Sequence, residues 1–193
     1  MSQVASDFIN RLSELTLEEK ASLCLGSDFW HTAPVERPSI PRIMVSDGPH
    51  GLRATDGERP TIVGSSGSVP ATCFPTASAL GSSSNPDPLP CGWRARWAVK
   101  AQEDRRFGVL GPGINMKALA AVRSQTSEYV SEDPWLAGEL ATAMVQGTQS
   151  HGIGTSVKHY AANNQEDDRL RVSAEVDERT LREIYLPAFG AGR

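Results

Sequence analysis

The sequence predicts an α/β fold built on a parallel sheet, and three observations carry that expectation. Short apolar runs recur in "IPRIMVSDGPHGLR" (40–53), "GVLGPGINM" (108–116) and "GIGTSVKHYAANNQEDD" (152–168). Each run breaks abruptly into a polar or glycine-rich loop, as a buried parallel strand does at its carboxyl end. Helix-patterned segments at about 134–149 and 178–186 separate or follow the runs, and strands alternating with helices call for crossover connections.

Taken in order, the elements have local reasons. "LTLEEKASLCLG" (15–26) opens with a capping box, Thr16 with Glu19 three residues on, and stops at Gly26. Ile43 to Val45 reads as the first strand. "VRSQTSEYVSEDP" (122–134) joins two unlike halves. Its right half is a helix entrance, with Ser131, Glu132 and Asp133 ahead of Pro134 at a first helical position, and the amphipathic run "WLAGELATAMVQGTQ" follows. Its left half has no comparable pattern.

Composition bounds the function. With 193 residues, 39% hydrophobic and 22% charged, the chain has enough apolar content for one substantial core. A net charge of −4 with scattered Lys and Arg offers no basic field, so nucleic acid is not an expected partner. No segment approaches a membrane span or has the apolar centre of a signal peptide, so no membrane partner is expected and the expected location is cytoplasmic. Cys24, Cys73 and Cys91 share no metal-like spacing, so neither a zinc site nor a disulfide framework is expected.

The blocks "SDGPHGLR" (46–53), "FPTASALGSS" (74–83), "GPGINMK" (111–117), "EYVSEDPWLAGE" (128–139), "SVKHYAANNQEDDR" (156–169) and "DERTLREIYLPAF" (177–189) together resemble the amino-terminal domain of glycoside hydrolase family three, the β-glucosidase type. They stand in the family's order and cover most of the chain. The resemblance implies a (β/α)8 barrel of the TIM type, here incomplete: residues 1–40 form an amino-terminal extension with a helix, and 41–193 a partial barrel. Length agrees, since a closed barrel takes about 250 residues. The last strand of a part-barrel has an unpaired edge, a place for pairing with another copy.

The resemblance further implies a pocket for the non-reducing sugar of a β-glucoside, with Asp47, Arg53, Lys158 and His159 binding its hydroxyls. Sugar hydroxyls both donate and accept, so a carboxylate beside cationic donors fixes the ring through charge-assisted hydrogen bonds. Read without the family, each residue has a plainer place. Asp47 before Gly48 and Pro49 suits a turn, Lys158-His159 suits a strand end, and Glu166, Asp167 and Asp168 suit a solvated loop. His50 and His151 are read as loop residues without a role.

A retaining glycosidase needs a nucleophilic and an acid/base carboxylate about 5–5.5 Å apart. In the family both lie in later segments, so no catalytic residue is expected among these 193, and the chain alone is expected to be inactive. No metal and no organic cofactor is required.

Two windows depart from the family. Where it reads like "RSPLCGRNFEY", this chain has "ALAAVRSQTSEY" (118–129), with Gln125 and Thr126 in place of the Arg and Asn of the sugar-binding wall. A codon choice for "ALAAVRSQ" read one base out of frame gives "RSPLCGR". "CGWRARWAVK" (91–100), shifted likewise, becomes the helix-forming "LRVARALGGE". The offsets point to a frame-damaged gene or recorded-sequence error; the alternative is ordinary divergence, with Trp93 and Trp97 forming a helix stripe.

Overall fold

The computed structural model describes residues 10–28, 30–37, 39–48, 50–53, 70–83, 108–116, 128–164, 168 and 171–191. The windows 91–100 and 118–127, and with them Trp93, Trp97, Gln125 and Thr126, lie outside the described residues. So do Glu166 and Asp167. The chain divides into two units, Met1–Val45 and Ser46–Arg193.

In the first unit, helix α1 (Leu17–Leu23) begins with the capping box the sequence predicts. Thr16 Oγ1 accepts from Glu19 N at 3.2 Å, and Thr16 N donates to Glu19 Oε2 at 2.8 Å. The segment after it is pinned by isolated bridges, Gly26 to Thr32, His31 to Met44 and Val35 to Ile40. Asp28 organises that region, accepting from Trp30 N at 2.8 Å, from Arg42, and from the His31 ring at 2.8 Å. The His31 hydrogen bond, then that of the Trp30 N–H, holds its carboxyl down at about 2.

The second unit carries the alternation. Strand β1 (Val45–Ser46), helix α2 (Ala77–Gly81), strand β2 (Gly108–Gly113), helix α3 (Pro134–Gln149) and strand β3 (Gly154–Lys158) follow one another, and the sheet order is β1-β2-β3. β2 and β3 are parallel, in register from Gly108 opposite Gly154 to Gly113 opposite Lys158, with an irregularity between Leu110 and Gly111. The parallel α/β reading holds.

The first strand differs from expectation: it starts at Val45 rather than Ile43. Ile43 and Met44 are taken up by the first unit, where Ile43 O accepts from Thr32 N at 3.0 Å and Met44 bridges to His31.

Helix α3 starts where the sequence places it. Pro134 is its first residue, Asp133 Oδ1 accepts from Trp135 N at 2.9 Å, and Ser131 Oγ accepts from Asp133 N at 3.0 Å. Its inner face, Ala137, Leu140, Ala141 and Met144, packs with Leu80, Ile114, Met116, Val130 and Ala188 in the main core. Gly138 lets the chain's end come close, because a Cβ there would lie 2.8 Å from that of Ala191.

The expected helix at 178–186 is not uniform. It begins as α4 (Glu178–Thr180), capped by Asp177, and widens into a π-helical turn over Leu181–Tyr185 before α5 (Pro187–Gly190). Pro187 is the physical reason: it has no N–H for the carbonyl four residues back and its ring crowds that carbonyl. The chain adopts a wider turn, with Leu186 N donating to Leu181 O at 2.9 Å.

Leu140, 4% exposed, sits at the centre of the α3 contact. Leu140→Ala should cost about 2–5 kcal/mol, read as a lower denaturation midpoint at unchanged slope.

Candidate functional site

The loop after β1 turns back on itself at once. Arg53 N donates to Asp47 O at 2.7 Å, and Ser46 Oγ donates to Arg53 O at 2.9 Å. Gly48 makes the turn, with φ at +136° and its absent Cβ replaced by Gly51 O, which would lie 1.8 Å from it. No other residue fits there. The Asp47 carboxylate stays close to the turn because Oδ1 accepts from Gly48 N at 2.7 Å.

Lys158, the last residue of β3, reaches that same oxygen, with Nζ 2.8 Å from Asp47 Oδ1. On its other side Nζ lies 2.6 Å from Glu128 Oε1. Burial opposes a charge on Lys158, but the carboxylates of Asp47 and Glu128 outweigh it and raise its pKa above the ordinary 10.5. It is an ammonium throughout the neutral range.

His159 is held at backbone and ring. Asn115, buried just past β2, accepts from His159 N at 2.7 Å and donates to His159 O at 3.0 Å. Tyr129, 2% exposed, donates its hydroxyl hydrogen to Asn163 O at 2.9 Å and meets His159 Nδ1 at 3.1 Å. Since that hydrogen is spent, the Tyr129 oxygen accepts, which puts a proton on Nδ1 and makes Nε2 the acceptor of the neutral ring.

The structure therefore brings Asp47 and Lys158 into direct contact and locks His159 beside Lys158. Arg53 joins them only through its backbone, and its guanidinium makes no hydrogen bond or ion pair among the described residues. Glu128, Tyr129 and Asn115 received no role from the sequence, although the first two open the "EYVSEDPWLAGE" block and the third sits inside "GPGINMK". Their position directly after or between strand ends was the available signal. Among the described residues no group of His, Cys, Asp and Glu could hold a metal, and no helix is long and apolar enough to cross a membrane.

A parallel sheet whose strand ends gather carboxylates, an ammonium and an oriented imidazole has its polar centre where α/β enzymes bind ligands. The particular family is established by sequence: the chain belongs to glycosyl hydrolase family 3, whose N-terminal domain matches residues 60–192. Asp47 and Arg53 precede that stretch, but the alignments to individual relatives take in nearly the whole chain. An exo-α-(1→6)-L-arabinopyranosidase of Bifidobacterium longum is 49% identical over 92% of this chain and 23% of its own length. The thermostable β-glucosidase B of Acetivibrio thermocellus is 48% identical over 96% of this chain and 24% of its own. Among solved structures, the family 3 β-glucosidase of Bifidobacterium adolescentis superposes with a TM-score of 0.74 at 49% identity, covering 93% of this chain and 24% of that one. The β-glucosidase of Kluyveromyces marxianus in complex with glucose gives 0.75 at 39% identity, covering 92% and 20%. The chain thus spans about a quarter or less of the proteins it matches.

The raised pKa of Lys158 fixes a pH dependence. A group held more basic in the folded state adds stability that is complete below its unfolded pKa and is lost as pH rises through the folded one. The stability difference between the native chain and Lys158→Met should be constant from pH 7 to about 10. It should shrink at higher pH, as followed by denaturant titrations across that range.

Proposed function

We propose that this chain supplies the sugar-binding wall of a β-glucosidase-type glycoside hydrolase, with Asp47, Arg53, Lys158 and His159 binding the hydroxyls of the non-reducing sugar. The observation that carries the reading is the 2.8 Å contact between Lys158 and Asp47, 111 residues apart in sequence and both at strand ends. A carboxylate with one oxygen engaged and an ammonium with a donor to spare suit adjacent hydroxyls that accept and donate. The glucose complex of the Kluyveromyces marxianus enzyme, similar over most of this chain, supports a pyranose as ligand. We read 1–40 as an amino-terminal extension and 41–193 as the first part of a (β/α)8 barrel. The edge of β3 away from β2 is where a further strand or another copy would add.

Asp47 serves binding rather than cleavage in this reading, since Lys158 and Gly48 N–H both occupy Oδ1 and stabilise it as a fixed acceptor. The pair of carboxylates that hydrolysis needs is assigned to none of the four residues. The 193 residues by themselves should turn over neither an aryl β-glucoside nor an aryl α-L-arabinopyranoside. Glucose should bind measurably by calorimetry, and Asp47→Ala should weaken that binding roughly tenfold to a hundredfold, the loss of a hydrogen bond to a charged group. Turnover that survives repurification and vanishes in Asp47→Ala would place the chemistry at Asp47. Equal binding by the variant would remove it from the pocket.

A second reading has its own observation, the one-base offset that converts "ALAAVRSQ" (118–125) to the family's "RSPLCGR". On it, the chain is the product of a frame-damaged gene, or a non-catalytic sugar-binding remnant lacking the Arg and Asn of the wall. Resequencing decides: codons over 91–100 and 118–127 that cannot yield the offset reading end it.

A further inference from the structure

We propose that Glu128 is the positioning residue for Lys158: its carboxylate anchors the ammonium and so leaves Asp47 an oxygen to give to the ligand. The inference rests on the sugar-binding reading above for the identity of that ligand. It does not rest on it for the hold of Glu128 on Lys158.

Two carboxylates share one ammonium, but not equally. The Glu128 contact is 2.6 Å and the Asp47 contact 2.8 Å. The Glu128 side chain is 14% exposed, Lys158 15% and Asp47 32%. Glu128 is thus the inner partner, closed in with the ammonium, and Asp47 the outer one. An ammonium paired with a single carboxylate would turn toward it, and a ligand would then have to break that pair to use either group. With Glu128 behind it, Lys158 is held from the inside. Asp47 keeps Oδ2, which has no partner among the described residues, and Lys158 keeps one of its three N–H donors.

The chain makes room for this arrangement. Gly113, the last residue of β2, stands against the Glu128 side chain: a Cβ at that position would lie 2.9 Å from Glu128 Cγ and 3.2 Å from Oε1. A side chain there would push the carboxylate off the ammonium. The geometry also pairs neighbours with neighbours, because Glu128 holds Lys158 while Tyr129 holds His159. One dipeptide, just before α3, sets two consecutive side chains at the end of β3.

The test uses the full chain as wild type, Glu128→Gln, Glu128→Asp and Gly113→Ala. Two readouts are taken. One is the titration of the Lys158 ammonium by NMR of lysine labelled at Cε, its signal identified by its loss in Lys158→Met. The other is glucose binding by calorimetry from neutral to alkaline pH. Glu128→Gln should move the Lys158 titration to lower pH, because the burial that opposes the charge remains while one of the two opposing carboxylates is gone. It should also weaken glucose binding roughly tenfold at neutral pH and shift its alkaline fall-off in the same direction. Glu128→Asp should restore part of both. Gly113→Ala, which retains the carboxylate but fills its seat, should move both as Glu128→Gln does, and it decides the matter if Glu128→Gln does not fold. A Lys158 titration unchanged in the folded variants overturns the proposal. A wild-type chain that binds no glucose sinks the sugar reading instead, while the titration still rules on Glu128.

Discussion

The site depends on one ammonium kept charged in a half-enclosed place. Lys158 ends a strand whose partner β2 is parallel to it, so its side chain leaves the sheet at the same end as the residues following β2. Removing the ammonium from water is unfavourable, and two carboxylates from distant segments offset the cost. That requirement reaches into the backbone. Asp47 is placed by a turn only a glycine can make, and Glu128 by the space a second glycine leaves. Core packing of α3 with Ile114 and Met116, just past β2, and with Val130 fixes the entrance of the helix a few residues after Glu128 and Tyr129. A charge interaction at the surface of the sheet is in this way supported by apolar burial beneath it.

Much of this was legible in the residues. Asp133 and Pro134 announced the start of α3, and Thr16 with Glu19 announced α1, because caps satisfy backbone groups within a few residues of themselves. The three strand-to-loop transitions pointed to where polar residues would gather. What sequence could not reveal were relations across the chain. Ile43 and Met44 read as strand but pair with Thr32 and His31, a tertiary choice that no local pattern encodes. The run after Asp177 reads as one helix, yet Pro187 widens the turn before it. Of the candidate residues, Asp47 and Lys158 are singled out only through family resemblance, since an aspartate before glycine and a lysine at a strand end are ordinary on their own. Glu128 escaped because a glutamate at the edge of a helix entrance looks like a solvated charge, and only the contact to Lys158 distinguishes it.

The similarity to proteins called β-glucosidases and to one called an α-L-arabinopyranosidase, at nearly the same identity, separates two levels of specificity. A wall of the proposed kind, gripping hydroxyls by charge, would recognise a pyranose as a ring of donors and acceptors. Choosing among pyranoses needs contacts sensitive to a single substituent, where an unmatched polar group is penalised. The four residues of the proposed site would serve the first task. In the proposed site, the half-buried Arg53, whose described hydrogen bonds run through its backbone alone, is the member whose side chain is left available for the second.

The double hydrogen bond between the Asn115 amide and the backbone of His159 has a consequence in time rather than space. With both backbone groups of His159 engaged and its ring tied to Tyr129, the imidazole is aimed before anything arrives. A ligand bound there, as proposed, would meet a surface already ordered, with little ordering entropy left to lose at that edge. Association there would be governed by encounter, and the lifetime of the bound state by how well the newcomer matches a frame that does not yield.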